Sequence, residues 1–194
     1  MSLDPMDTGE PPLPSTFFRP RESERGIYTE KKLGDEMLAI WETTDLPPDA
    51  EITHVTLIPY RGDRAVVAWR AGQLSLPEGD VLPGEELDAA IRRIALDQAG
   101  ILDPTAKHLG HFRARATSLS KTRPAGTITY QALHGVEVGG IADFPADGAY
   151  ERRIILQRDL NVLLRTSYVE MRREYTDTLD RYLIERLKAN LREG

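Results

Sequence analysis

Cysteine is missing altogether from the 194-residue chain. Its absence excludes disulfides, thiolate zinc sites, iron–sulfur clusters and a cysteine nucleophile, and it makes a cytoplasmic location the expectation. Long apolar runs are missing too: nowhere do about 18 such residues follow one another, so no helix is expected to span a membrane. The opening stretch MSLDPMDTGEPPLPS has no basic segment followed by an apolar one and does not read as a secretory signal. Met1–Leu3 fits a tag remnant with the native start nearby. Positive charge is in deficit. Lys plus Arg number 25 against 31 Asp plus Glu, a formal net charge of −6, so the chain as a whole exerts no pull on nucleic acid or anionic lipid. Neither is an expected partner. Histidine is scarce and scattered, at His54, His108, His111 and His134. The spacing of His108 and His111 within one strand puts them on opposite faces, and no histidine metal centre is expected.

What is present is a globular balance, 40% hydrophobic and 29% charged, outside the range of disordered chains. Hard divalent cations are held by oxygen ligands, so the placement of the carboxylates becomes the question to follow. Residues 1–25 are rich in proline and charge and read as a flexible arm, with Phe17 and Phe18 as anchors; residues 26–194 read as one domain. Leu33, Met37, Leu38 and Trp41 stand at helical spacing within 27–42, which predicts a short amphipathic helix there. Leu46-Pro47-Pro48-Asp49 breaks the chain.

Ile52–Pro59 and Arg64–Arg70, joined across Arg61-Gly62-Asp63, predict a hairpin, with a short third strand at Gln73–Pro77. A loop over Glu78–Gly84 leads to a helix from about Glu85 to Ala99, and Gly100 stands where a left-handed C-cap residue belongs. Strands are predicted at His108–Thr117, Thr127–Val138 and Tyr150–Gln157. From Asp159 the pattern is helical, and Leu179, Leu183, Leu187 and Leu191 form the apolar stripe of a C-terminal helix. Packing onto the domain is the plain reading of that stripe; a homodimer contact is the alternative.

Leu76-Pro77-Glu78-Gly79 and Pro83-Gly84-Glu85, continued through Arg93 to Gly100-Ile101, resemble the Nudix hydrolase box, G-x5-E-x7-R-E-U-x-E-E-x-G-U with U a bulky aliphatic residue. Gly79 matches the first glycine, Glu85 the glutamate, Arg93 the arginine and Gly100 the closing glycine. Several fixed spacings agree at once, which a lone G-x5-E would not. The resemblance implies an α+β fold, an α/β/α sandwich around a mixed sheet, and hydrolysis of a nucleoside diphosphate linked to another group. It also implies Mg²⁺ or Mn²⁺ to neutralise the phosphates and lower the pKa of the attacking water. It makes Glu85 and Arg93 a structural pair holding loop to helix, and makes the carboxylates after Arg93 the metal ligands.

Those carboxylates are where the chain departs from the box. The stretch reads Arg93-Ile94-Ala95-Leu96-Asp97-Gln98. Ile94 cannot ligate, Asp97 is competent but short, and Gln98 offers a neutral carbonyl. The implied metal ligands are therefore Asp97 and, weakly, Gln98, and the catalytic candidates are Asp97 and Glu78, which replaces a glycine common in the family. Glu86, Glu137, Asp143 and Asp147 are further acids outside the ligand positions, read as solvated. Arg113, Arg115, Lys121 and Arg123 form a local basic stretch that could meet substrate phosphates, since guanidinium groups bind them bidentately; a solvated hairpin is the plain reading. Trp69 and Tyr130 are base-stacking candidates or sheet packing. Three functions stay open: a metal-dependent pyrophosphohydrolase with weak or absent activity, a regulatory module binding a nucleotide-like small molecule without turnover, and a dimeric structural protein.

Overall fold

The computed structural model describes residues 28–34, 36–143 and 148–193, with side chains followed to Ala189. The arm over 1–25, with Phe17 and Phe18, Asp147 and the Leu191 side chain lie outside the described residues. A mixed sheet runs in the order β1 (Lys31–Leu33), β2 (Met37–Glu42), β8 (Thr105–Ala116), β9 (Ile128–Glu137), β3 (Ile52–Arg61), β4 (Arg64–Arg70), β11 (Glu151–Leu156). Only β3 and β9 are parallel; the other neighbours are antiparallel. β5 (Gln73–Ser75) extends β4, β6 (Glu78–Asp80) pairs with β3, and β7 (Ile101–Leu102) pairs with β10 (Gly140–Ile141). Three helices complete the described residues: α1 (Leu87–Ala99), α2 (Gln157–Ser167) and α3 (Arg172–Glu193).

Strand alternation divides the core in two. Val55, Leu57, Val66 and Val136 pack on Ile91, Ile94, Ala95 and Ala99 of α1. Residues one step out of phase, such as Ile58, Ala65, Val67 and Leu133, pack under Leu160, Leu163 and Leu164 of α2 and Leu179 of α3. A sheet buried on both faces between helices is an α/β/α sandwich. No helix among the described residues is long and apolar enough to cross a membrane. Among its described members, the C-terminal stripe is covered at its first two positions and open at the third. Leu179 is buried and Leu183 packs on the core, while Leu187 is exposed.

The helix predicted in 27–42 is instead the β1–β2 hairpin, hinged at Gly34 with φ of +65°. Leu33, Met37 and Trp41 recur every four residues, a spacing that serves a strand of period two as well as a helix of period 3.6. Pairing with β8 decides between them: Ala39 and Trp41 are buried against Phe112 and Ala114 of that strand. Trp41 and Phe112 meet edge to face at a centroid distance of 4.8 Å.

β8 carries a bulge between His108 and Gly110. One extra residue reverses the side-chain phase beyond it. Gly110 is the point of closest approach: a β-carbon there would lie 2.5 Å from Trp41 Cζ2 and 2.9 Å from the Glu42 carbonyl oxygen. Neither the indole in the core nor a backbone carbonyl can give way freely. Gly110→Ala is therefore expected to destabilise the fold by about 1–3 kcal/mol, as overpacking typically does. Urea denaturation measures this, and an unchanged midpoint would contradict the close approach.

Candidate functional site

β6 builds the site by pairing with the start of β3 at the end that β4 leaves free. His54 stands opposite Asp80 and Thr56 opposite Glu78. Cross-strand partners share a face, so these four side chains project together. His54 Nδ1 is 2.9 Å from Asp80 Oδ1, and His54 Nε2 is 4.0 Å from Glu78 Oε2. Burial pulls the His54 pKa down, but its contacts with Glu78 and Asp80 outweigh that and leave it raised. The Tyr168 hydroxyl, at the C-cap of α2, donates to Glu78 Oε2 at 3.2 Å and accepts the Leu76 N–H at 3.1 Å. Burial, followed by the charge of Glu78, pushes the Tyr168 pKa far above the ordinary phenol range, so it stays a neutral donor. Beneath it the hydroxyls of Tyr175 and Thr56 lie 3.3 Å apart.

α1 holds this loop from the other side. Gln98 Oε1 accepts the Glu78 N–H at 3.0 Å, and Gln98 Nε2 donates to the Glu78 carbonyl at 2.5 Å. Arg93 donates through Nε and Nη2 to the two oxygens of Glu85, both at 2.7 Å, and through Nη2 to the Asp80 carbonyl at 2.9 Å. Glu85 also accepts the Leu82 N–H at 2.9 Å. The Arg93 hydrogen bond, ahead of that from Leu82, lowers the Glu85 pKa to about 2. Gly100 caps α1 at φ of +62°, its N–H reaching the Ala95 and Leu96 carbonyls, a conformation that costs glycine little. Arg152 Nη1 from β11 meets the Ala99 carbonyl at 3.4 Å and that of Ala142 at 2.8 Å.

Glu78 and Gln98 line an open cleft of about 910 Å³ between α1, β5 and α2, together with Arg70, Gln73, Tyr150, Asp159 and Tyr168. Arg70 Nη1 donates to the Tyr150 hydroxyl at 3.2 Å, with the guanidinium 5.1 Å from the ring centroid. Sequence reasoning missed His54, Asp80, Arg70 and Tyr168. The alternation His54-x-Thr56 and Glu78-x-Asp80 was a readable signal for β6; the long-range contacts of Arg70 and Tyr168 had none.

The ligand positions implied for Mg²⁺ or Mn²⁺ do not converge. Ile94 is buried, with its Cδ1 3.5 Å from where a Gly79 β-carbon would stand. Gln98 has both polar atoms on the Glu78 backbone, and Asp97 is solvent-exposed beside Arg93. No group of three or more His, Asp or Glu side chains among the described residues could hold a metal ion. This donor set does not fit the cation.

The basic stretch lies elsewhere. Arg113 pairs with Glu42 at 2.8 Å, Arg115 with Glu30 at 3.3 Å and Arg123 with Glu51 at 2.6 Å, and none of these, nor Lys121, lines the cleft. Trp69 has Arg153 over its ring, and Tyr130 packs edge-on against His111. Glu137 and Asp143 are exposed, away from the cleft.

The structure matches that of a point mutant of the Bacillus subtilis pyrophosphohydrolase RppH at a TM-score of 0.56, with 16% identity over 79% of this chain and 97% of that one. A structure described as an ADP compounds hydrolase gives a TM-score of 0.48 and 14% identity over 81% of this chain and 94% of that one. No family model matches the sequence, and no curated protein does. The mixed sheet between helices is thus a Nudix-like fold. At 16% identity the likeness to the Bacillus enzyme is one of fold.

His108 and His111 do not face opposite sides: the bulge reverses the phase between them. His108 Nε2 lies 3.2 Å from His111 Nδ1, the rings stack at 5.3 Å, and His134 meets His108 edge-on at 5.2 Å. His111 Nε2 is 3.3 Å from Glu42 Oε2 but poorly aligned for a hydrogen bond, and His134 Nδ1 is buried without a partner. Burial lowers all three pKa values, and it takes His134 to about 4. An unfolded histidine titrates near 6.5, so the unfolded chain binds more protons across that interval. The cluster's contribution to stability is therefore full above about pH 6.5 and falls as pH drops toward 4, with His134 alone contributing on the order of 3 kcal/mol. Denaturation midpoints measured across this range should show the decline, reduced in His134→Gln; a flat profile would contradict it.

Proposed function

We propose that this chain is a Nudix-type protein of the pyrophosphohydrolase class that takes a nucleotide-like small molecule in the cleft beside α1 and hydrolyses it weakly or not at all. The carrying observation is Gln98. Its carbonyl oxygen and amide nitrogen are both engaged by the Glu78 backbone, so the residue at a ligand position works as a loop fastener. Ile94, at another ligand position, belongs to the core on the α1 side. Asp97 alone retains a carboxylate, and hard cations are held largely by ligand charge. What persists is the framework: the Glu85–Arg93 pair, the capped α1 and a cleft within the size range of small-molecule sites.

The test is turnover of ADP-ribose and dinucleoside polyphosphates by purified protein with Mg²⁺ or Mn²⁺. Product release close to the protein-free background is expected. A kcat above about 1 s⁻¹, in the ordinary enzyme range, that required the metal and was lost in Asp97→Ala would overturn the weak-activity reading.

A further inference from the structure

The charges lining the cleft oppose a polyphosphate. Arg70 lines the cleft with two carboxylates, Glu78 and Asp159, and Asp159 has the guanidinium of Arg158 3.8 Å away, so Glu78 is the carboxylate that lacks an arginine or lysine partner among the described residues. Arg70 has no carboxylate within ion-pair distance among the described residues; its contacts are to Tyr150. Glu78 is held at its backbone N–H and carbonyl by Gln98 and at Oε2 by Tyr168. The backbone that carries this carboxylate is thus fixed, and the carboxylate itself cannot swing away from a ligand without breaking the Tyr168 bond. The neighbouring imidazole of His54 is shared with Asp80, which it meets at 2.9 Å against 4.0 Å for Glu78. The hydroxyls of Thr166 and Ser167 already donate to the Val162 and Leu74 carbonyls, at 2.9 and 3.0 Å. Leu74, Ile155 and Leu163 supply an apolar surface. A carboxylate accepts and does not donate, so what it asks of a ligand is N–H or O–H groups. A second negative charge brought into such a cleft would meet like charge, and like-charge juxtaposition weakens binding.

We propose that this cleft, without a divalent cation, selects a ligand with N–H or O–H donors for Glu78 and no more than one negative charge, met by Arg70. On the nucleotide reading, on which this rests, the ligand is a nucleoside or its monoanionic cyclic phosphate and not a nucleoside diphosphate. Calorimetric titration with adenosine, cyclic AMP and ADP, in EDTA at low ionic strength, tests it. ADP should bind at least about tenfold more weakly than adenosine. Glu78→Gln keeps an acceptor for Tyr168 and should shrink that gap severalfold. Arg70→Gln should weaken cyclic AMP severalfold more than it weakens adenosine, and melting curves establish that both variants fold. ADP binding as tightly as adenosine, or more tightly, in EDTA would overturn the charge selection and leave the nucleotide reading standing. Failure of all three to bind would overturn the nucleotide reading and the selection with it.

Discussion

Two hydrogen bonds between the Gln98 amide and the backbone of Glu78 join the parts of this molecule that matter for its chemistry. They tie the last turn of α1 to β6, and β6 is the short strand that completes the free end of β3. Because Glu78 is fixed there, its side chain meets Tyr168 from the end of α2 and stands beside His54 on β3. One side-chain amide thus connects helix, sheet and the second helical layer. A half-buried amide keeps little freedom once both its polar atoms are satisfied. The same engagement removes it from metal binding, so the helix is retained as architecture while the chemistry suggested by its position is weakened.

Charge placement follows the same logic. Arg113 on β8 is neutralised by Glu42 on the neighbouring β2, and Arg123 in the loop between β8 and β9 by Glu51 just before β3. Arg70 at the cleft is left to an aromatic partner. On β8 and β9, the bulge at Gly110 gathers three imidazoles into a largely buried cluster where desolvation favours their neutral forms. The −6 charge of the chain is therefore a poor guide to any local field. Glu42, Glu51 and Glu85 each have a fixed cationic partner, whereas Glu78 faces a cleft.

Much of the fold was legible from local pattern. The β3–β4 hairpin, the span of α1, its Gly100 cap, β8, β9, β11 and the helical C-terminal region all depend on periodicity and on residues next to one another in sequence. The segment over 27–42 was misleading because a four-residue repeat satisfies two periods, and only pairing with β8 chooses between them. His108 and His111 were misplaced because a single inserted residue inverts strand phase, and nothing local marks it except the glycine that the Trp41 indole requires.

By itself, the sequence determined the framework residues Gly79, Glu85, Arg93 and Gly100, the loss of two carboxylates at Ile94 and Gln98, and the impossibility of thiol chemistry. These are matters of identity and spacing along one segment. Tertiary structure decided what Gln98 does instead, that Asp97 faces solvent, and that Glu78 shares a cleft with Arg70 and Tyr168. Those contacts join residues 20 to 90 positions apart, and such distances are closed by sheet pairing and layer packing, which no local pattern encodes.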